Sequence, residues 1–162
     1  MFTREGRYNR FMAWFTRWRA GSWLTKKVYV PLDGAIYRRT DGRRGLSPRK
    51  AMLNLTTTGA KSGLPRSVPV LYLREGPAFW IMASNFGSDR HPAWSYNLIA
   101  NPEARVQIGD ECYEVRARLA SDDEKQRLWP RLVDLYPSWK QYTTWTDRDF
   151  RLFALEASEA SH

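Results

Sequence analysis

Short β-type runs, each bounded by Gly, Pro, Asn or Asp, dominate the chain from residue 52 onward. Met52-Leu-Asn-Leu-Thr-Thr-Thr58 is the first, and the turn Gly59-Ala-Lys-Ser-Gly-Leu-Pro65 follows it. Residues 66–73 alternate in part, with Val68, Val70 and Tyr72 on one side. Pro69 has no ladder donor, so its amide side must meet an edge, a bulge or a ligand. Ala78-Phe-Trp-Ile-Met-Ala-Ser84 is a third strand. Residues 104–108 and 111–119, joined by Gly109-Asp110, read as a hairpin with period-two alternation. Cys112, Glu114, Arg116 and Arg118 then share one face, and Tyr113, Val115, Ala117 and Leu119 the other. Residues 149–156 make a sixth strand.

Helical spacing interrupts these strands twice. Residues 92–101 open on Pro92, a favoured first-turn residue. Ser121-Asp-Asp-Glu124 is a capping box before residues 125–136, whose Leu128, Leu132 and Leu135 mark the buried face. Pro130 inside that pattern implies a kink or an adjusted turn. The aromatic run from Tyr136 to Trp145 is not expected to be all core, because Pro, Lys, Gln and Thr break any apolar face, and it suits the wall of a pocket. Near the N-terminus, Tyr8, Phe11, Phe15 and Trp18 recur every three or four residues, so residues 7–24 predict an amphipathic helix. That aromatic stripe suits either packing on the domain or a place in a membrane interface. Residues 28–37 can add a short helix. The expected organisation is an N-terminal helix and basic loop over residues 1–50, a β-domain over 51–157 and a tail over 158–162.

Six antiparallel strands with two intervening helices make a mainly β, α+β fold, and closure into a small barrel removes their edges. A doubly wound nucleotide-binding sheet is disfavoured, since hairpins link the first three strands and no Gly-x-Gly-x-x-Gly turn precedes a helix. No Gly-x-x-x-x-Gly-Lys-Ser/Thr motif occurs.

Charge narrows the range of partners. A formal net charge of +9 over 162 residues favours an anionic one, be it a nucleic acid, a lipid or a small ligand. Six of the thirteen residues from Arg38 to Lys50 are basic; they fit a nucleic-acid arm, a loop beside an anionic ligand, or a solvated loop with no partner. The single cysteine, Cys112, excludes an internal disulfide and points to a reducing cytosol. Cys112 sits among acids without an activating neighbour, so it is no nucleophile, and two distant histidines make no metal centre. No run is long and apolar enough to span a membrane, and no signal-peptide pattern is present. The first three strands carry a Lys61/Ser62/Arg66 turn, a Ser84-Asn85 loop and the Pro92-started helix towards one anion-sized place, suited to a phosphorylated, flavin-like cofactor.

Thr56-Thr-Thr-Gly-Ala-Lys-Ser-Gly-Leu-Pro-Arg66, Met82-Ala-Ser-Asn85, Arg90-His-Pro-Ala-Trp-Ser-Tyr-Asn-Leu98, Ala100-Asn-Pro102, Leu135-Tyr-Pro137 and Trp145-Thr-Asp-Arg148 occur in this order. In sequence and spacing they resemble the deazaflavin-dependent nitroreductase family, over roughly residues 50–156. The resemblance implies a split β-barrel related to FMN-binding barrels, and coenzyme F420 as cofactor, a deazaflavin carrying a phosphate and a poly-γ-glutamate tail. It places Ala60, Lys61, Ser62, Arg66, Ser67, Val68, Pro69 and Val70 at the phosphate and tail. Met82, Ala83, Ser84, Asn85, Ala93, Trp94, Ser95, Tyr96 and Asn97 would line the ring. Trp139 joins the cofactor-contacting set, although it and Leu71 stand where related quinone and nitroimidazole reducers often place tyrosines. Ala60 likewise replaces an arginine common in this turn.

The activity so implied is hydride transfer from reduced F420 to a quinone-like or nitroaromatic acceptor. Ser84 would be a donor at the reacting face, with Tyr136 and Tyr142 as lid residues. The departures at Leu71 and Trp139 put nitroimidazoles in doubt as acceptors. A cytoplasmic enzyme is expected, with peripheral membrane contact through residues 7–24 as an added reading. Nucleic acid is not the expected partner. The residues also fit a non-catalytic carrier of F420 or of a tetrapyrrole, and an FMN-dependent reductase.

Overall fold

The structure, a computed structural model, describes residues 52–158. The expectations for residues 7–24, 28–37 and 38–50 lie outside the described residues. Six strands form one closed antiparallel barrel in the order β1-β2-β3-β6-β5-β4. They are β1 (Met52–Thr58), β2 (Pro65–Glu75), β3 (Ala78–Ala83), β4 (Glu103–Ile108), β5 (Glu111–Leu119) and β6 (Arg151–Ala157). Helix α1 (Ala93–Ala100) joins β3 to β4, while α2 (Asp122–Leu135) and α3 (Ser138–Tyr142) join β5 to β6. Within residues 52–158 the six expected strands and the two expected helices are present. β2 starts one residue before and ends two residues beyond its sequence reading, and β6 starts two residues later, at Arg151 rather than Asp149.

Two apolar cores hold the barrel. Leu53, Leu55, Phe79, Ile81, Val106, Val115, Phe153 and Leu155 alternate inward along their strands and fill the interior. Trp94 and Leu98 of α1 close one end of that core. The second core lies outside the barrel wall, where Trp80 and Met82 of β3 and Leu152 of β6 meet Leu128 and Leu132 of α2 and the rings of Tyr136, Trp139 and Tyr142. Both faces of β3 and β6 are therefore covered, which is why Ala78-Phe-Trp-Ile-Met-Ala83 is apolar throughout instead of alternating.

One expectation is corrected here. The run from Tyr136 to Trp145 is not all core, as expected, since Pro137 and Lys140 are exposed, but Tyr136, Trp139 and Tyr142 are buried, at 8%, 3% and 0% exposure, rather than lining an open pocket. Its rings recur at spacings of three, so the short helix α3 turns Trp139 and Tyr142 inward and Lys140 outward. The polar residues that argued against a core position occupy the opposite side of the same turn.

Helix α2 begins as its capping box predicts: Ser121 Oγ accepts from the Glu124 N–H at 3.2 Å, and Glu124 Oε2 accepts from the Ser121 N–H at 2.9 Å. The helix runs on through Pro130, which cannot donate to the carbonyl four residues back. Arg118 of β5 grips both oxygens of Glu124, at 2.8 and 2.9 Å, and reaches Glu156 of β6 at 3.0 Å. The Arg118 guanidinium and the Ser121 backbone hold the Glu124 carboxyl down at about 2, against an ordinary 4.5. Its contribution to stability is complete above the ordinary value and fades as pH falls towards 2. Melting curves of the wild type and Glu124→Gln should therefore converge as pH drops from about 4.5 to about 2, the wild type losing more. Parallel loss in both proteins would remove Glu124 as the acid-sensitive tie.

Candidate functional site

Strand β2 changes partners partway along its length. Pro65 to Leu71 pair with β1, from Thr58↔Pro65 to Met52↔Leu71. Tyr72 to Glu75 pair with β3, from Tyr72↔Ile81 to Glu75↔Ala78. No residue of β2 belongs to both ladders. Beyond Tyr72 the two strands part, and among the described residues no strand pairs with the β3 side of Arg66 to Val70. Across the gap Met82 and Ala83 pair with Leu152 and Arg151 of β6, and with no other described strand. Pro69 falls inside the open stretch, as its missing N–H requires.

The turn at the head of this gap is closed by its own backbone. The Gly59 N–H donates to Leu64 O and the Gly63 N–H to Gly59 O, both at 2.8 Å. Gly63 has φ +68°, and a side chain at Gly59 would run into Ser62 Oγ. Lys61, Ser62 and Arg66 stay exposed on this rigid turn. Helix α1 locks onto it through one buried side chain: Asn97 Oδ1 accepts from the Ala60 N–H at 2.9 Å, and Asn97 Nδ2 donates to Thr57 Oγ1 at 3.0 Å. Asn97 thus satisfies both ends of its amide by joining three elements.

The loop after β3 is tied from the opposite side. Asn85, Phe86 and Gly87 stand in sequence at φ 47°, 54° and 72°, a left-handed turn that costs free energy at its two non-glycine residues. Arg148, just before β6, offsets that cost. Its guanidinium donates to Ala83 O at 3.0 Å, Ser84 O at 2.7 Å and Ser88 O at 3.0 Å, and meets His91 Nδ1 at 2.7 Å. A guanidinium only donates, so His91 Nδ1 is the acceptor and the imidazole is neutral. Burial and the nearby Arg148 and Arg151 charges push the His91 pKa down, in agreement. Gly87 is required where it stands: a Cβ there would lie 3.0 Å from both Trp145 and Tyr142.

These ties form a ring around one end of the barrel. Arg151, paired with Ala83, donates to the buried Ser95 Oγ at 2.9 Å and lies 5.0 Å from the centre of the Tyr96 ring. Among the described residues Lys61, Arg66, Arg148 and Arg151 make no direct ion pair, so four cations gather at this end, with Asp89 and Asp149 near enough to act on Arg148. Elsewhere on the barrel Arg105, Arg116, Arg118, Arg127 and Arg131 all meet carboxylates.

The expected site residues fall into three groups. Ala60, Lys61, Ser62 and Arg66 are exposed, and Ser67, Val68, Pro69 and Val70 half-buried, along one side of the gap. Met82 and Ala83 turn their side chains into the two cores, so only their backbone could face a ligand. Ser84 stands at their end with its hydroxyl accepting from the Trp139 indole N–H at 3.0 Å. Asn85 uses its amide to close the loop, donating to Ser88 Oγ and Arg90 O, both at 2.7 Å. Ala93 and Tyr96 are exposed on α1, Ser95 is buried against Arg151, and Trp94 packs on Phe153 in the barrel core. Tyr136 and Tyr142 are not an open lid. They are buried beside Trp139 with their phenol oxygens 3.1 Å apart, backing the wall behind Ser84. The sequence reading missed Arg148, Arg151 and His91 as ties, because their partners are distant in the chain.

A profile of F420H(2)-dependent quinone reductases matches residues 31–157. A Mycobacterium tuberculosis protein named F420H(2)-dependent quinone reductase is 40% identical over 114 residues, which covers 66% of this chain and 76% of that protein. A solved F420-H2 dependent reductase, FDR-A, is similar at 37% identity and TM-score 0.61, covering 66% of this chain and 95% of its own. A structure described as a domain-swapped dimer is 37% identical with TM-score 0.64, over 72% of this chain and 87% of its own.

Arg148→Lys removes the fork that spans three carbonyls. It should raise hydrogen exchange at the Gly87 and Ser88 amides, which bond Ser84 O and Asn85 O, about tenfold, because bonds to a charged donor contribute about 1.5–3 kcal/mol. Strand amides of β4 and β5 should not change. Unaltered loop exchange would show that the turn holds itself.

Proposed function

This chain belongs to the F420H(2)-dependent quinone reductase family, whose activity is hydride transfer from reduced coenzyme F420 to a quinone, and we propose that the gap between β2 and β3 is where the two meet. The parting of the two β2 ladders at Leu71 and Tyr72 carries this reading. An open strand edge offers backbone N–H and C=O groups to a planar heterocycle that can use both, and a strand-long slot suits a long, flat ligand.

The fit is also electrostatic. The coenzyme ends in a phosphate and several carboxylates, and Lys61 and Arg66, which make no ion pair among the described residues, flank the head of the slot on a turn closed by its own backbone hydrogen bonds. Ser67 is already held, its hydroxyl 2.7 Å from Thr56 Oγ1, so the backbone at Arg66 to Val70 is set before a ligand arrives. At the other side of the slot Met82 to Asn85 present backbone and the Ser84 hydroxyl, while Arg148 fixes their curvature. Ala93 and Tyr96 at the start of α1 complete the rim.

When bound, the reduced deazaflavin supplies a hydride, two electrons at once. The rest of the work falls to the chain. Accepting a hydride leaves negative charge on a quinone oxygen, and a hydroxyl donor already in place stabilises that charge without reorganising. Ser84 fills this role, and the proton that completes the hydroquinone comes from water. Tyr136, Tyr142 and Trp139 give the wall behind Ser84 its stiffness. Phe86, half-buried and edge-on to Tyr142 at 6.4 Å, borders the acceptor space. No helix among the described residues is long and apolar enough to cross a membrane.

Protein mixed with reduced F420 and menadione should restore the visible absorbance of the oxidised coenzyme. Replacing Lys61 and Arg66 together by alanine should weaken coenzyme binding at least tenfold in dilute buffer, and the difference should shrink with salt, as exposed charge pairs do. Unchanged affinity in dilute buffer would place the anionic end of the coenzyme elsewhere.

A further inference from the structure

The Ser84 hydroxyl is held by a residue of α3, Trp139. An indole N–H is a donor with no acceptor capacity, so in the 3.0 Å contact between Trp139 Nε1 and Ser84 Oγ the serine oxygen must accept. That bond occupies one lone pair and leaves the hydroxyl hydrogen as the free bonding group. Among the described residues the Ser84 side chain makes no other hydrogen bond, and its carbonyl is taken by Arg148 and by the Gly87 N–H. Both partners are buried, Ser84 at 8% exposure and Trp139 at 3%, so water does not compete for the oxygen.

The indole itself cannot swing away. It packs edge-on against Tyr136, with ring centres 5.6 Å apart, and α3 carries it inward beside Tyr142. The Tyr136 and Tyr142 oxygens, 3.1 Å apart, brace the two rings. A tyrosine at position 139 could either donate or accept, and would leave the serine proton undirected. A tryptophan can only donate, and accepting from it also polarises the Ser84 O–H, which makes it a better donor to charge developing on its far side.

We propose that Trp139 is a positioning residue that fixes the Ser84 hydroxyl as a one-way hydrogen-bond donor into the β2–β3 gap, towards the quinone oxygen that gains charge. The proposal rests on the assignment of that gap as the reaction site. It revises the expectation that Trp139 contacts the cofactor: its indole acts through the serine.

Two measurements separate the proposal from the assignment beneath it. In ¹⁵N-labelled protein without coenzyme, the Trp139 indole signal, assigned by its loss in Trp139→Phe, should move upfield in proton shift in Ser84→Ala. An unmoved signal overturns the bond and the proposal, while leaving the gap free to be the reaction site. In turnover with reduced F420 and menadione, Trp139→Phe should lower kcat about tenfold with coenzyme affinity within about twofold of wild type, since uniform binding is untouched. Made in a Ser84→Ala background, the same change should cost nothing further, because both act through one hydroxyl. An equal loss in both backgrounds means that Trp139 matters only as packing, and overturns the proposal. Full activity in Ser84→Ala overturns the proposal together with the role given to Ser84. Should Trp139→Phe fail to fold, the indole shift in Ser84→Ala, with the signal assigned by sequential connectivity, still decides.

Discussion

Backbone groups removed from water must find partners, and a closed barrel normally supplies them by pairing every strand on both sides. Here β2 breaks that rule for half its length, giving Pro65 to Leu71 to β1 and only Tyr72 to Glu75 to β3. The barrel still closes, because β3 has a second partner in β6 and β1 a second in β4. What remains among the described residues is a stretch of β2, half-buried from Ser67 to Val70, with no strand on its β3 side. An edge of this kind is a liability unless something occupies it, and the family's cofactor is a flat heterocycle able to do so.

An opening between two strands needs holding from both ends, and the polar ties do this. Asn97 binds α1 to the β1–β2 turn, and Arg148 binds the approach of β6 to the end of β3. Both satisfy backbone groups or hydroxyls rather than opposite charges. Among the described residues Arg148 makes no direct ion pair, and neither do Lys61, Arg66 and Arg151. Rigidity and positive potential arise from the same choice of partners. The left-handed turn Asn85-Phe86-Gly87 persists because Arg148 and the Asn85 amide overdetermine it.

Much of the fold was legible because its signals are local. Alternation along Glu111–Leu119, the Gly109 turn and the Ser121/Glu124 capping box are each read within a few residues, and each appears in the structure. The exposed half of the proposed site is local in the same way, since Lys61, Ser62 and Arg66 belong to one turn. The buried half is not. Arg148 meets partners 57 to 65 residues away, and nothing in the spacing of Trp145-Thr-Asp-Arg148 says which carbonyls it will find. Tyr136, Trp139 and Tyr142 were misjudged for a different reason: composition suggested an interrupted surface, whereas a spacing of three on a short helix sorts rings to one side and polar residues to the other.

The most direct test follows backbone amides while oxidised F420 is added to the labelled protein. Amides of Arg66, Ser67, Val68 and Val70 and of Ser84 and Asn85 should shift together and saturate, with those of Cys112 and Tyr113 on β5 unmoved. Saturable shifts confined to β4 and β5, with the β2 edge silent, would contradict the assignment of the gap between β2 and β3.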